Sequence, residues 1–194
     1  ATGTGKTYMS AFDVKNYKPK KLLFVVHREE ILMKALETFK FLLPNENITF
    51  GLLTGNTKDK NADYIFSTIQ TLSRCYHEFG KEEFEYIIYD EAHHTTSPSY
   101  QIVMNYFIPK FMLGMTATPE RSDNMNVFEL FNNNVAIEVR LHEALEENLI
   151  IPFHYFGITD IEGIDLSDVD IDDIAEITKR LNVNKRVDFI IERM

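Results

Sequence analysis

A glycine-rich stretch at the start of the chain has the residue types and spacing of a phosphate-binding loop. The pattern G-x-x-x-x-G-K-[ST] is present here without its first glycine. Glycines let the backbone curl so that successive N–H groups point at phosphate oxygens, while a lysine adds positive charge and a threonine hydroxyl can ligate Mg²⁺. A plain glycine-rich turn is the alternative. The residues to which we assign phosphate binding are Thr2, Gly3, Thr4, Gly5, Lys6 and Thr7.

Two adjacent carboxylates follow the apolar run Tyr86–Tyr89, in the order Asp90-Glu91-Ala92-His93-His94. The first carboxylate suits Mg²⁺, and the second can polarise an attacking water. An acidic loop between a strand and a helix is the plain alternative, but the phosphate-loop pattern in the same chain makes it less plausible. The two histidines could suggest zinc, yet no further Cys or His lies at ligand spacing, so zinc is not expected.

A third polar cluster, Thr116-Ala117-Thr118-Pro119, follows the apolar run Phe111–Met115. Its hydroxyls are suited to hydrogen bonding at a strand end, and the proline forces a turn. Taken alone, it is an ordinary Ser/Thr-Pro turn. As the third polar cluster in order along the chain, after the phosphate-loop pattern and the acidic pair, it indicates a functional motif.

Apolar runs and helical spacing alternate along the first part of the chain, and these elements must position the three clusters. The alternation predicts an α/β fold, with a mostly parallel sheet sandwiched by helices and ligands beyond the carboxyl ends of the strands. The predicted strands are Leu22–Val26, Ile48–Leu53, Tyr64–Ser67, Tyr86–Tyr89 and Phe111–Met115, all expected to be buried. The predicted helices are Thr7–Lys15, Glu29–Leu43, Ile69–Tyr76 and Ser99–Phe107.

The remaining sequence predicts shorter elements and an acidic connector. Helical turns are expected at Val127–Phe131 and Leu141–Glu147, and strands at Val135–Val139 and Phe153–Ile158. We therefore expect a first domain over 1–158 and, over 159–194, a connector with short helices near 173–181 and 185–192. A calcium loop is not expected in the connector, because its turn glycine and its final glutamate are both replaced.

Composition restricts the classes of partner. The net charge is −10 over 194 residues, so any nucleic-acid contact must be local or carried largely by other parts of the protein. One cysteine, Cys75, excludes a disulfide framework and fits a reducing, cytoplasmic location. No apolar run approaches the roughly 18 residues of a membrane span, so no membrane contact is expected. The chain also begins inside a motif without an initiator Met, so we expect a fragment.

Together, the three clusters resemble motifs I, II and III of the first RecA-like domain of superfamily 2 helicases and translocases. Thr2–Thr7 resembles motif I, Asp90–His93 a motif II of the DEAH type, and Thr116–Thr118 motif III. The Asp-Glu-Ala-His-His and Thr-Ala-Thr-Pro-Glu-Arg forms are most similar to the branch that contains type III restriction-enzyme motor subunits and DNA repair helicases.

The resemblance implies an ATP hydrolase that uses Mg²⁺ and couples hydrolysis to movement along nucleic acid, with DNA as the expected strand. It implies that Lys6 and Thr7 bind phosphate and Mg²⁺, that Asp90 holds the metal, and that Glu91 is the general base. The residues expected to couple nucleotide state to nucleic-acid grip are His93, Thr116 and Thr118.

In this family, loops after other strands hold the nucleic-acid backbone. The matching positions here, each equally compatible with a solvated loop or a helix cap, are His27, Arg28, Thr54, Gly55, Thr68 and Gln70. The alternatives are a phosphate-loop ATPase that does not act on nucleic acid, an RNA helicase, and a non-catalytic scaffold. Intact Lys6, Asp90 and Glu91 argue against the scaffold.

Members of this family also need a second RecA-like domain, which closes the ATP site with arginine fingers. Such an arginine contributes about 10³–10⁵ in rate in related enzymes. We therefore expect the 194-residue chain alone to have negligible nucleic-acid-stimulated ATPase and no unwinding activity. ATPase assays of the purified chain with and without single-stranded DNA check this, and robust stimulated turnover contradicts it.

Overall fold

All five apolar runs that follow the loop form strands of one parallel sheet. The computed structural model describes residues 5–44, 47–118 and 127–151. The strands are β1 (Leu22–Val26), β2 (Phe50–Leu53), β3 (Tyr64–Thr68), β4 (Tyr86–Asp90) and β5 (Phe111–Met115). They lie in the order β2-β3-β1-β4-β5, and every neighbouring pair is parallel. The predicted α/β class is confirmed.

Four helices cover the two faces of this sheet. They are α1 (Lys6–Tyr17), α2 (Glu29–Leu42), α3 (Ile69–Cys75) and α4 (Pro98–Tyr106), and 3₁₀ turns lie at Tyr76–Glu78 and Ala92–His94. Shorter helices follow, α5 (Val127–Leu130) and α6 (Leu141–Glu146). The first two helices pack on one face of the sheet and the next two on the other, so the sheet is sandwiched as predicted. Each of these six α-helices begins and ends within two residues of its predicted bounds.

The central strand β1 is fully buried and supplies both halves of the core. Alternation turns Phe24 towards α1 and α2 and turns Leu23 and Val25 towards α3 and α4. On the first face, the Phe24 and Phe66 rings stack with centroids 5.2 Å apart, and Phe39 of α2 meets both rings edge-on at 5.6 and 5.2 Å. Burial on both faces explains why β1 reads as a continuous apolar run.

The outer strands depart from the prediction of buried strands. Strand β2 alternates between half-buried and buried residues, and β5 is half-buried along most of its length, with Phe111 43 % exposed. Within the described residues, each of these strands has a sheet neighbour on one side only, which leaves part of its surface uncovered. At Gly114 a Cβ would lie 2.4 Å from the Phe131 ring, so the turn after α5 packs directly on this strand.

The strand predicted at Val135–Val139 is absent, and that prediction is wrong. Val135 is 51 % exposed and Ile137 62 % exposed, and the stretch pairs with none of the strands of the described sheet. It follows Asn132 and Asn133, whose φ angles of 55° and 57° turn the chain. Alternating apolar residues form a strand only where a neighbouring strand pairs with them, and no strand of the described sheet pairs with this stretch.

Several predictions made from the sequence lie outside the described residues. They are the roles of Thr2, Gly3 and Thr4, the turn at Pro119, the strand Phe153–Ile158, and the connector with its two helices. The chain divides into two compact units, 1–151 and 152–194, and the first contains the three polar clusters. The expected domain boundary at 158 stays a prediction. Among the described helices, none is long and apolar enough to cross a membrane.

A cavity of about 360 Å³ lies at the amino-terminal edge of the sheet, far from the three polar clusters. Lysines line it, among them Lys15 and Lys18. Both α1 and α2 end here, and the Lys15 ammonium donates to the Leu42 carbonyl at 3.2 Å. Because carbonyl ends of helices carry partial negative charge, Lys15 stabilises the ends of both helices, and this cavity does not indicate the site predicted from the sequence.

The aromatic trio around β1 makes a stability prediction. Phe24→Ala is expected to destabilise the chain by about 3–5 kcal/mol, because the ring is fully buried and its loss leaves a cavity. Phe41→Ala is the matched control, since Phe41 is 72 % exposed and its loss is expected to change stability by less than about 0.5 kcal/mol. Urea unfolding measures both changes, and equal losses contradict the assignment of this core.

Candidate functional site

The parallel sheet brings the predicted polar residues to one edge. Because all five strands run in the same direction, their carboxyl ends lie side by side. The register places the end of β1 beside Thr68 and the end of β4, at Asp90, beside Met115. His27 and Thr116 directly follow strands β1 and β5 at this same edge. Residues far apart in sequence therefore share one surface.

The described end of the glycine-rich loop opens helix α1. Gly5 is its N-cap, with φ 78° in the left-handed region, and the Met9 N–H donates to the Gly5 carbonyl at 2.9 Å. A Cβ at Gly5 would meet nothing within 4 Å, so the backbone angle and not space requires glycine. Lys6 and Thr7 lie in the first helical turn, where backbone N–H groups lack intrahelical acceptors and favour an anion.

Asp90 is buried at the end of β4, with 5 % of its surface exposed. One carboxylate oxygen accepts the Glu91 backbone N–H at 2.9 Å. Burial raises the pKa of Asp90, while that hydrogen bond and the positive charge of Lys6 act in the opposite direction. The influence of Lys6 on this carboxylate is consistent with the start of α1 facing the end of β4.

Glu91 has an unusual backbone conformation and defined side-chain neighbours. Its φ of 53° and ψ of 51° are left-handed, which costs a non-glycine residue about 1–2 kcal/mol. The Nδ1 atom of His93 lies 3.2 Å from Glu91 Oε2 and 2.9 Å from Thr116 Oγ1. The Thr118 backbone N–H donates to the same Thr116 hydroxyl at 3.1 Å. The second and third clusters are thus joined by direct contacts.

The residues assigned to nucleic-acid contact fall into two groups. Thr54 is fully buried and its hydroxyl accepts the Asn56 and Thr57 N–H groups at 3.3 Å, while the Thr68 hydroxyl donates to Thr71 Oγ1 at 3.0 Å. Both hydroxyls therefore hold local turns. The exposed members at this edge are Arg28, Gly55 and Gln70.

One contact at this edge was missed from the sequence. The His94 ring lies between those of His27 and His93, with centroids 4.4 Å and 4.2 Å away. Burial lowers the pKa of His27 and the positive charge of Arg28 lowers it further, while the negative charge of Glu91 acts in the opposite direction. From sequence, His94 was considered only as a zinc candidate. His27 follows β1 and His94 lies in the turn after β4. Their contact could have been predicted only by knowing that these two strands pair in the sheet.

The fold and the site together define the class of protein. A parallel sheet between helices, with a glycine-capped helix and an acidic strand end at its carboxyl edge, is the architecture of RecA-like helicase domains. The chain belongs to the family described as type III restriction enzyme, res subunit, which matches residues 1–121. The resemblance expected from the three motifs is confirmed, and the chain contains an ATP-dependent helicase-like domain.

Curated relatives cover both nucleic-acid classes. A Saccharomyces cerevisiae protein named as the ATP-dependent helicase IRC3 is 27 % identical over 186 residues, 87 % of this chain and 26 % of that protein. The DNA 3'-5' translocase XPB2 of Sulfurisphaera tokodaii is 30 % identical over 122 residues, 63 % of this chain and 26 % of its own. A protein of Acanthamoeba polyphaga mimivirus named as the ATP-dependent RNA helicase L396 is 25 % identical over 159 residues, 81 % of this chain and 30 % of that protein. The chain spans about a quarter of the length of these relatives.

Solved structures support the fold. The Hef helicase domain of Pyrococcus furiosus has a TM-score of 0.57 and 22 % identity, covering 68 % of this chain and 32 % of that one. A hypothetical ATP-dependent RNA helicase from Sulfolobus tokodaii has a TM-score of 0.59 and 17 % identity, covering 70 % and 44 %. At these identities the likeness shows the fold alone.

The buried Asp90 carboxylate makes a pH-dependent stability prediction. Its pKa is higher in the folded chain than in the unfolded chain, so its ionisation opposes folding. This cost is fully present above the folded pKa and absent below the unfolded one. In the absence of divalent metal at pH 7, Asp90→Asn is expected to raise the melting temperature by roughly 2–4 °C, the effect of about 1 kcal/mol in a chain of this size.

Thermal unfolding followed by circular dichroism measures this difference. The gain is expected to shrink as the pH falls through the range in which carboxylates titrate, because the wild-type group then becomes neutral too. Asp59→Asn at an exposed position is the control and is expected to leave the melting temperature unchanged. An unchanged or lower melting temperature for Asp90→Asn at pH 7 contradicts the prediction.

Proposed function

We propose that the protein containing this chain is an ATP-driven DNA translocase or helicase and that residues 1–151 form its nucleotide-binding unit. The observation that carries the proposal is the meeting of three groups at one edge of the sheet. These are the glycine-capped start of α1, the buried Asp90, and the contacts of His93 with Glu91 and Thr116. A scaffold domain has no need to keep this set together.

Phosphate binding is assigned to the start of α1. The backbone N–H groups of its first turn, the Lys6 ammonium and the rest of the loop, Thr2–Thr7, would hold the β- and γ-phosphates of ATP. Mg²⁺ in such sites is held by one or two carboxylates together with phosphate oxygens and water. Asp90 and the Thr7 hydroxyl fit that requirement, although no group of three or more His, Cys, Asp or Glu in the described part of the chain could hold a metal by itself. Bound Mg²⁺ neutralises phosphate charge.

Glu91 is assigned as the general base. Its carboxylate would accept a proton from the water that attacks the γ-phosphate, and its backbone angle and its contact with His93 fix where it points. Because the same His93 nitrogen also reaches Thr116, a shift of the segment Thr116–Thr118 would move the base. These contacts support the roles in coupling assigned to His93, Thr116 and Thr118.

Nucleic-acid binding is assigned to the other half of the edge, beyond β1, β2 and β3. There Arg28, Gly55 and Gln70 are exposed, and they can reach phosphates by charge, close main-chain approach and hydrogen bonding. His27, Thr54 and Thr68 would then shape the loops that present them. DNA is favoured over RNA by the restriction-enzyme family and by the relative named a DNA translocase. An RNA helicase and an ATPase indifferent to nucleic acid are the alternatives.

A second RecA-like domain is part of the proposal as the partner that completes the ATP site. The curated relatives extend well beyond the matched region, which leaves room for such a domain in proteins of this family.

The cytoplasmic location expected from the lone cysteine also stays a prediction.

Glu91→Gln tests the assigned chemistry in the full-length protein. The substitution keeps the size of the side chain and removes the base, so kcat for ATP hydrolysis is expected to fall by about 10²–10⁴ while ATP binding is retained. Glu37→Gln, at an exposed position of α2, is the matched control and should leave kcat unchanged. Unaltered turnover by Glu91→Gln would favour a different base or the scaffold alternative.

Arg28→Glu tests the assigned nucleic-acid surface. Binding of single-stranded DNA by the full-length protein should weaken, and the dependence of log affinity on log salt should become shallower by about one phosphate contact. The control is Arg74→Glu, exposed at the far end of α3, which should bind as wild type does. Parallel ATPase assays with single-stranded DNA, duplex DNA and RNA decide between the alternatives, and ATPase that ignores all three argues against the proposal.

A further inference from the structure

We propose that His94 is a positioning residue through which nucleic acid bound at the loop after β1 sets the placement of Glu91. The inference rests on the proposed function and identifies the route by which nucleic acid stimulates ATP hydrolysis. The route is the row of three imidazole rings of His27, His94 and His93, called the histidine row, in which neighbouring ring planes are tilted by 57° and 45°. Its ring centroids are separated by 4.4 Å and 4.2 Å.

The histidine row lies at the boundary between the half of the site assigned to nucleic acid and the half assigned to ATP. In the strand order β2-β3-β1-β4-β5, β1 and β4 are neighbours. His27 follows β1 and precedes the exposed Arg28, while His93 and His94 lie in the 3₁₀ turn after β4. The histidine row therefore runs from the segment assigned to contact with nucleic-acid phosphates to the segment that carries the assigned base.

On the β4 side, the turn is fastened to Glu91. The His94 backbone N–H donates to the Glu91 carbonyl at 2.9 Å, and the Thr95 N–H donates to the Ala92 carbonyl at 3.0 Å. The fully buried Thr95 side chain also donates to the Ala92 carbonyl, at 2.5 Å. A displacement of the His94 ring is thus passed to the backbone of Glu91, and through His93 to its carboxylate.

Glu91 is the element that such a displacement can switch. Its left-handed backbone is an unfavourable conformation that persists only where surrounding contacts hold it. A small change in those contacts can therefore change the population of the placed base. Coupling between two sites needs an element of this kind, biased from both sides.

On the β1 side, His27 is held by packing. Its Nδ1 atom is buried and makes no hydrogen bond with any described part of the chain. Its ring contacts the His94 ring directly, with centroids 4.4 Å apart and planes tilted by 57°. A change in the backbone at His27–Arg28 would then move the His27 ring and, through the ring contact, the His94 ring. This transfer requires a flat ring at position 94.

The test compares stimulation of ATP hydrolysis in the full-length protein. The quantity is the ratio of kcat with and without the nucleic acid that stimulates the wild type most, measured for His94→Ala, His94→Leu and His94→Phe. We expect the ratio to fall roughly tenfold for the first two, within the range of measured couplings, and to recover to at least half of the wild-type ratio for His94→Phe. Nucleic-acid affinity by fluorescence anisotropy and the KM for ATP should change by less than about twofold.

Two further variants separate coupling from a structural role. His27→Ala with His94→Ala should lower the ratio no further than His94→Ala alone, because both interrupt one route. His77→Ala, exposed in the 3₁₀ turn Tyr76–Glu78, is the matched control and should leave both rates unchanged. His94→Leu keeps bulk without a ring, so it replaces His94→Ala if that variant does not fold.

The outcomes are distinguishable. A wild-type ratio in His94→Ala or His94→Leu, equal losses of kcat with and without nucleic acid, or a His94→Phe variant as poor as His94→Leu would each overturn the inference and leave the proposed function standing. A wild-type protein whose ATPase is not stimulated by any nucleic acid would overturn both.

Discussion

The common direction of the five strands is the constraint on which the rest of the structure depends. Parallel pairing brings every strand's carboxyl end to one edge, and so it assembles a site from loops that are distant in sequence. The fully buried β1 fixes this arrangement, because it pairs with β3 on one side and β4 on the other. A slip of β1 by one residue would exchange its two core faces and break the site.

Two adjacent residues at this edge are locally unfavourable. Asp90 places a carboxylate where burial opposes its charge, and Glu91 takes a backbone conformation that glycine tolerates far better. Neither feature stabilises the fold. Violations of local preference concentrate at functional sites, where a geometry needed for chemistry is held by its surroundings. The pair is thus a structural argument for function that does not depend on motif comparison.

Much of the fold could be predicted from the sequence, because buried parallel strands are continuous apolar runs and the motifs lie directly after them. The predictions that failed were those that depended on which strands lie next to each other in the sheet. The alternation at Val135–Val139 has no partner strand in the described sheet, and the burial of β2 and β5 depends on their place at the edge of that sheet. The bonds that the Thr54 hydroxyl accepts from its own turn could not be seen in the sequence, and its assignment to phosphate contact stays a prediction. Contacts of His94 required knowledge of which strands pair.

The strand order also sets a length scale. Parallel strands are spaced by about 4.8 Å, so the span from β2 through β3 to β1 is roughly 10 Å. Successive phosphates of a stacked strand are separated by about 3.4 Å along the helix axis. The edge assigned to nucleic acid is therefore about three nucleotides wide. In a motor that moves along a strand, this sheet alone would contact only these few nucleotides at a time. Longer contacts would have to come from other parts of the protein.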